Sequence, residues 1–217
     1  MERQKKKEVL KQKRETPHIA RRVYHLLMGL FCFSLYAWFI SREQAIQLLA
    51  GLGIPFVLLD LIRLKVPALN AAALKLFGTI MRREELLRFS ANSYYIIALA
   101  ILVVIFPKPI ALLGILYLAV GDPVAAIVGS NFGRHPLIGG KSWEGTLANF
   151  AVCVAGTFLF AQLFLVLSLP TSLAFALVGG AISAVAEVIP LPVNDNLYFP
   201  VLSAVLLTGA NYLFHFF

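Results

Sequence analysis

The hydrophobic residues of this chain form long runs, and short polar or proline-containing joints separate them. A membrane hydrocarbon core of about 30 Å requires roughly 20 mostly apolar residues in a helix, and as few as about 17 suffice. Breakers such as Pro107, Pro109, Pro190 and Pro192 stand at the joints. The pattern predicts seven membrane-spanning helices, at residues 24–40, 44–62, 90–106, 110–128, 146–168, 172–189 and 197–216.

One further apolar segment, residues 67–81, is too short to cross a membrane comfortably. It carries Asn70 and Lys75, and its apolar residues recur at roughly helical spacing. This pattern is typical of an amphipathic helix that lies along the membrane interface, and we predict that arrangement for 67–81.

Composition agrees with the pattern. Of 217 residues, 59% are hydrophobic and only 14% are charged, and the mean hydropathy is +0.82. A soluble domain has about 25% charged residues, and a chain of this length could not bury so much apolar surface in one soluble core. The predicted fold is therefore all-α, a polytopic transmembrane helix bundle of about seven spans.

The net charge of +8 is concentrated at the amino terminus, where residues 1–22 contain nine Lys or Arg and three Glu. A basic arm of this kind would bind either nucleic acid or anionic lipid. Directly before a hydrophobic span, the lipid surface is favoured, at about 1 kcal/mol per basic residue. We predict a disordered cytoplasmic arm at 1–22 that binds anionic lipids and no nucleic acid, and a membrane domain at 23–217.

The distribution of basic residues predicts the orientation. With seven spans and a cytoplasmic amino terminus, only Arg42 and Lys108 of the 19 Lys and Arg residues lie on the outer side. This follows the positive-inside rule. A membrane crossing by 67–81 would place the basic arm and Lys141 on opposite sides. The charge pattern therefore favours seven spans with the amino terminus in the cytoplasm, and we predict the cell membrane as the location.

Acidic residues at helix ends or in cytoplasmic loops are the first candidates for chemistry, because a carboxylate near the bilayer centre costs at least about 2.5 kcal/mol. In this topology they gather on one face with basic residues around them. Mg²⁺ prefers oxygen ligands and typically takes one or two carboxylates together with phosphate oxygens. The candidate magnesium ligands are Asp122, Glu144, Glu187 and Asp195.

A glycine-rich turn precedes the fifth span, in the sequence FGRHPLIGGKSWEGT. The letters GGKS resemble the end of a P-loop, but His135 occupies the position of its leading glycine and no strand precedes it. Backbone N–H groups around Gly133, Gly139 and Gly140, the Lys141 ammonium and the Ser142 hydroxyl would still suit a phosphate. The following helix would point its positive end toward the same place.

The sequence GDPVAAIVG followed by GKSWEGT resembles the signature of the CTP-dependent lipid-alcohol kinases, which include dolichol and polyprenol kinases, phytol kinase and CTP-dependent diacylglycerol kinase. The block AEVIPLPVNDNLYFP is similar to a later family element, and RRVYH resembles an earlier one in which Lys is usual at Arg22. The matching positions are Arg21, His25, Gly121, Asp122, Ala125, Gly129, Lys141, Ser142, Glu144, Gly145, Thr146, Glu187, Asp195, Asn196 and Pro200.

The resemblance implies a membrane kinase that transfers the γ-phosphate of CTP to a lipid hydroxyl, with Mg²⁺ as cofactor. It implies Asp122, Asp195 and Lys141 as catalytic residues. Region 60–90 matches the family pattern only loosely, and the site residues that we suggest there are Asp60, Arg63, Arg83 and Glu85. The implied nucleotide- and phosphate-binding residues are Arg21, His25, Gly129, Gly133, Gly140, Lys141, Ser142, Gly145 and Asn196, and the implied metal ligands are Asp122, Glu144, Glu187 and Asp195.

Each of these residues also has an ordinary structural explanation. Asp122 would be a solvated helix-terminal acid, and Lys141 a positive-inside anchor. Glu144 would interact with its own helix dipole, and Asp195 with its neighbour would form a turn. His25 would be a polar group at the interface.

Two other functions remain open from the sequence. A cytidylyltransferase would use CTP to make a CDP-lipid and release pyrophosphate. A small transporter or assembly factor would bind an anion in the same polar cluster without chemistry; inverted repeats or broken helices would support it. The sequence does not identify the lipid alcohol.

Overall fold

The computed structural model describes residues 21–77, 85 and 87–217. Within these ranges the main elements are eight helices, and only a single isolated β-bridge occurs. The helices are α1 (Arg21–Phe39), α2 (Arg42–Arg63), α3 (Pro67–Phe77), α4 (Ala91–Ile105), α5 (Lys108–Phe132), α6 (Trp143–Leu165), α7 (Leu169–Val188) and α8 (Asp195–Phe214).

The all-α membrane fold is confirmed. In the described part of the chain, six helices are long and apolar enough to cross a membrane: α1, α2, α5, α6, α7 and α8. Each lies within four residues of a predicted span. The seventh predicted span, at 90–106, is the apolar helix α4, which has only 15 residues. The count of seven spans and the side of the amino terminus stay predictions.

Two predictions reach beyond the described residues. Residues 1–20 of the predicted basic arm lie outside them, whereas Arg21 and Arg22 are in α1. Residues 78–81 of the predicted interfacial helix also lie outside them. Its described part, α3, has no buried residue and packs against the end of α2.

Polar side chains cap the amino termini of five helices, close to the boundaries that the sequence predicted. The side chain that precedes the first residue of α2, α4, α6, α7 or α8 accepts a hydrogen bond from a backbone N–H of the first turn. Such caps satisfy N–H groups that have no partner within the helix. The capping residues are Ser41, Ser90, Ser142, Ser168 and Asn194.

Helix α5 is the most buried of the membrane-length helices, and α4, α6 and α8 pack against it. Leu113 and Tyr117 are fully buried. The Tyr117 hydroxyl lies 2.7 Å from the Thr157 hydroxyl of α6, so the one polar group at this level of α5 is satisfied by its neighbour.

The polar ends of the helices meet at one end of the bundle, which we call the polar end. Arg22 of α1 donates to Ser130 near the end of α5, at 2.9 Å. Asn196 of α8 donates to the carbonyl oxygen of Ala91 of α4, at 3.2 Å. The polar end therefore collects the first residues of α1, α4, α6 and α8 and the last turns of α2, α5 and α7.

Candidate active site

A pocket of about 220 Å³ opens at the polar end. Its wall is formed by the first turns of α1 and α8, the middle of α5 and the loop before α6. The charged and polar residues that line it are Arg21, Arg22, His25, Asp122, Lys141, Asn194, Asp195 and Asn196.

Asp122 faces this pocket from within α5 and not from a helix end. The residues Tyr117–Gly121 form a π-helical turn directly before it, and α5 then continues to Phe132. Proline donates no backbone hydrogen bond, and the wider turn accommodates Pro123 without ending the helix. The predicted span ended at residue 128, so Asp122 sits deeper along the helix than a terminal acid would.

A small hairpin holds Lys141 at the pocket. The backbone N–H of Leu137 donates to the carbonyl oxygen of Lys141 at 2.8 Å, and that of Trp143 donates to His135 at 3.0 Å. Gly139 and Gly140 close the hairpin with φ of 70° and 78°, a region that side-chain-bearing residues rarely adopt. The two glycines before Lys141 are thus required by the turn.

The Lys141 ammonium lies among carboxylates. Its Nζ is 2.9 Å from Oε1 of Glu187 and 3.6 Å from Oδ2 of Asp195. Burial by itself would lower the pKa of Lys141, but the nearby carboxylates of Asp122, Glu187 and Asp195 outweigh it and raise the pKa above its ordinary value. The surrounding carboxylates therefore favour the charged form of Lys141 at the pocket.

Glu187, a predicted metal ligand, lies behind Lys141 and does not line the pocket. Its side chain is buried near the end of α7, and both carboxylate oxygens are engaged. Oε1 pairs with Lys141, and Oε2 accepts a hydrogen bond from the Thr146 hydroxyl at 2.9 Å. This geometry suits a residue that orients Lys141.

The start of α8 contributes three consecutive pocket residues. The Asn194 side chain caps the helix by accepting from the backbone N–H of Asn196 at 3.1 Å. Asp195 follows and is half exposed. The Asn196 side chain is buried and anchors α8 to Ala91. Sequence reasoning missed Asn194, although an Asn before an apolar helix is a recognisable capping signal.

The start of α1 supplies the remaining positive charge. Arg21 forms an ion pair with Glu85 and Arg22 donates to Ser130, and both also line the pocket. His25, one turn further, is buried, and its ring makes an edge-to-face contact with Tyr95 at 5.7 Å between centroids. The structure therefore brings Arg21 and His25 to Asp122, as the resemblance implied.

The structure does not bring Glu144 to this pocket. Its carboxylate contacts the ring nitrogen Nδ1 of His135 at 2.7 Å and accepts from the backbone N–H of the same residue at 3.4 Å. The reason is local: the hairpin turns His135 back toward the first turn of α6, where an acid also interacts favourably with the helix dipole.

The predicted glycine cradle for phosphate is also absent from the pocket wall. Gly129 and Gly145 instead allow α5 and α6 to approach closely, since a Cβ on Gly145 would lie 2.7 Å from the Ala125 carbonyl oxygen. The Ser142 hydroxyl caps α6 by accepting from Gly145. The predicted binding residues outside the pocket lining are Gly129, Gly133, Gly140, Ser142 and Gly145.

The pocket offers magnesium two carboxylates, those of Asp122 and Asp195. Within the described ranges no three His, Cys, Asp or Glu side chains are grouped to hold a metal ion by themselves. Asp122 and Asp195 do line one pocket, and Mg²⁺ bound to a polyphosphate needs only one or two carboxylates. The residues present therefore fit a magnesium–nucleotide complex and do not fit a free metal site.

A second buried polar cluster lies beside the pocket. Asp60 accepts from Arg63 at 2.6 Å and from the Ser90 N–H and Ser93 hydroxyl, both at 2.8 Å. Arg63 also donates to the carbonyl oxygens of residues 85 and 88, so it ties α2 to the segment before α4. The guessed residues Asp60, Arg63 and Glu85 hold the polar end together, and Arg83 lies outside the described residues.

Comparisons with known proteins identify curated relatives along most of the chain. It is 31% identical over 201 residues to CTP-dependent diacylglycerol kinase 1 of Schizosaccharomyces pombe, which covers 87% of this chain and 91% of that protein. It is 30% identical over 206 residues to phytol kinase of Synechocystis, covering 90% and 80% respectively.

CTP-dependent diacylglycerol kinase 1 of Eremothecium gossypii is 30% identical over 207 residues, and the chain spans 65% of that longer protein. No family model matches the sequence. No solved structure is significantly similar to it.

Proposed function

This chain belongs to the family of CTP-dependent lipid kinases, and on that premise we propose that it transfers the γ-phosphate of CTP to the hydroxyl group of a lipid alcohol at the cytoplasmic face of its membrane. The observation that supports this most directly is the composition of the pocket. Asp122 and Asp195 face the same cavity as Arg21, Arg22 and Lys141, at one end of a membrane bundle.

The cations of the pocket suit the triphosphate of CTP. Arg21 and Arg22 present planar guanidinium groups from α1, and Lys141 presents a point charge from the loop before α6. Asp122 and Asp195 would hold Mg²⁺, which neutralises phosphate charge when it is bound. Because phosphoryl transfer has a loose transition state, positioning and charge neutralisation by these residues contribute most of the catalysis.

The reaction is a displacement at the γ-phosphorus. The lipid hydroxyl oxygen forms a bond to phosphorus, the bond to the bridging β–γ oxygen breaks, and CDP leaves with that oxygen. The hydroxyl proton passes to a carboxylate of Asp122 or Asp195 and then to water. The products are the lipid phosphate and CDP.

We propose diacylglycerol as the acceptor. The relatives from Schizosaccharomyces pombe and Eremothecium gossypii are named diacylglycerol kinases and match 86–87% of the chain. Phytol is the second candidate, because the Synechocystis relative is named a phytol kinase and matches 90% of the chain. We also propose that the basic arm at 1–22 binds anionic lipid and that the protein resides in the cell membrane.

Labelled nucleotide tests the reaction. Purified protein in mixed micelles is given CTP labelled at either the γ- or the α-phosphate, with dioleoylglycerol or phytol as the acceptor and, in a parallel reaction, with dioleoylphosphatidic acid, which a cytidylyltransferase would require. A kinase transfers only the γ-label to the lipid and produces CDP. Transfer of the α-label with release of pyrophosphate would establish a cytidylyltransferase, and the absence of any nucleotide-dependent lipid product would favour a transporter or assembly factor.

A further inference from the structure

An apolar groove of about 230 Å³ lies between α1 and α4, next to the charged pocket. Met28 and Cys32 of α1 and Tyr95, Ile96 and Leu99 of α4 line it, together with Phe56 of α2. Met28 and Cys32 are four residues apart, and Tyr95 and Ile96 lie four and three residues before Leu99, so each set forms one stripe along its helix. The groove follows both helices along the direction in which they leave the polar end.

The length of the groove corresponds to part of one membrane leaflet. The groove extends over an interval of seven residues on α1, from His25 to Cys32, and over an equal interval on α4, from Asn92 to Leu99. At 1.5 Å per residue, the groove descends about 10 Å from the polar end, whereas half of a hydrocarbon core is about 15 Å. A lipid tail in the groove would keep its head group at the level of the charged pocket.

His25 joins the two cavities, because it lines both the charged pocket and the groove. Below it, the ring of Tyr95 lines the groove, whereas its hydroxyl is buried against Gly29 of α1 and does not face the groove. The groove wall is therefore almost entirely apolar below His25. Continuity with the charged pocket at His25 distinguishes the groove from an ordinary lipid-facing surface.

A larger apolar cavity of about 370 Å³, between α2 and α3, is less suited to the same role. It shares no lining residue with the charged pocket. The charged residues in its wall are already paired, since Asp60 accepts hydrogen bonds from Arg63, Ser90 and Ser93. A lipid held there would not present a hydroxyl to Asp122.

We propose that the groove between α1 and α4 binds the hydrocarbon chain of the acceptor lipid and that His25 marks the point where the lipid hydroxyl meets the nucleotide. This proposal rests on the proposed lipid kinase function. It makes Met28 and Ile96 specificity-determining residues, because their side chains set the width of the groove.

Tryptophan substitutions test the proposal. Met28→Trp and Ile96→Trp would fill the groove, and Leu163→Trp, on the exposed surface of α6, is the matched control. With dioleoylglycerol we expect the KM for the acceptor to rise about tenfold in both groove variants, because each loses the burial of about two methylene groups of the lipid. The KM for CTP should not change. Dihexanoylglycerol, with shorter chains, should be affected less. Groove variants that behave like Leu163→Trp would overturn the proposal.

A second measurement uses the unaltered protein, so that misfolding of a variant does not decide the outcome. A diacylglycerol with a diazirine in the middle of one chain is photolysed with the full chain in micelles. We expect cross-links on the peptides that contain Cys32 and Leu99. Cross-links only on α3 or on the outer surface of α6 would overturn the proposal. Specific cross-links in the groove without phosphorylation of any lipid would retain the groove and reject the kinase function.

Discussion

The ammonium group of Lys141 lies 2.9 Å from the buried carboxylate of Glu187. The pair connects the hairpin before α6 to the last turn of α7, and Thr146 holds the second carboxylate oxygen. Glu187 does not face the pocket itself. By holding the Lys141 ammonium, it fixes the position of that group relative to Asp122 and Asp195 in the pocket wall.

Glu187→Gln should weaken catalysis through Lys141. Glutamine keeps the size of the side chain and can still contact Thr146, but it removes the charge that orients the ammonium. Hydrogen bonds to charged groups contribute about 1.5–3 kcal/mol, so we expect kcat/KM for CTP to fall roughly tenfold to a hundredfold. The control is Glu43→Gln, an exposed acid near the start of α2, and equal activity of the two variants would contradict the orienting role.

Asp122→Asn should abolish lipid phosphorylation while the protein still inserts in the membrane. The substitution is nearly isosteric, but it removes the carboxylate that faces both the proposed metal and the acceptor hydroxyl. We expect a loss of at least about a hundredfold in kcat, measured as transfer of γ-label to lipid. Near-normal turnover, with expression and thermal unfolding unchanged, would remove Asp122 from the mechanism.

Metal removal should stop the reaction. Because the described residues offer a pair of pocket carboxylates and no group of three, we expect Mg²⁺ to bind with the nucleotide and to be lost readily to EDTA. Added Mg²⁺ should restore the rate. Asp195→Asn should raise the Mg²⁺ concentration needed for half-maximal activity, and an unchanged Mg²⁺ dependence would show that Asp195 is not a ligand.

Gly145→Ala should destabilise the contact between α5 and α6. The new Cβ would lie 2.7 Å from the Ala125 carbonyl oxygen, and backbone atoms of two packed helices cannot easily separate. We expect a loss of about 1–3 kcal/mol in the free energy of unfolding. Gly209→Ala on α8 is the control, because nothing lies within 4 Å of its added Cβ and alanine is the better helix former. Equal stability of the two variants would show that close approach at Gly145 is not required.

The sidedness can be measured by thiol labelling. Cysteine at Arg134, in the exposed loop before α6, should react with an impermeant maleimide from the cytoplasmic side only. Cysteine at Glu43, in the exposed first turn of α2, should react from the opposite side only. Labelling of both positions from the same side would contradict the predicted topology, and with it the cytoplasmic location of the pocket.

The positions of the helices could be predicted from the sequence because they depend on local properties. A run of apolar residues forms a membrane helix wherever it occurs, and breakers at Pro107 and Pro190 end it. Six of the predicted spans correspond to membrane-length helices for this reason. The motif around Asp122, Lys141 and Asp195 also indicated which residues share a site, and the structure brings all three to one pocket.

Contacts between helices were decided by tertiary structure alone. The glycines of the central motif were predicted to cradle phosphate, but Gly139 and Gly140 form a turn and Gly145 permits helix packing. Phosphate binding and close packing both require a residue without a side chain. Only the position of the neighbouring backbone shows which of the two roles a glycine has. In the same way, Glu144 and Glu187 are equivalent as acids in the sequence. The packing of α7 against α6 directs Glu187 to Lys141, whereas the hairpin directs Glu144 to His135.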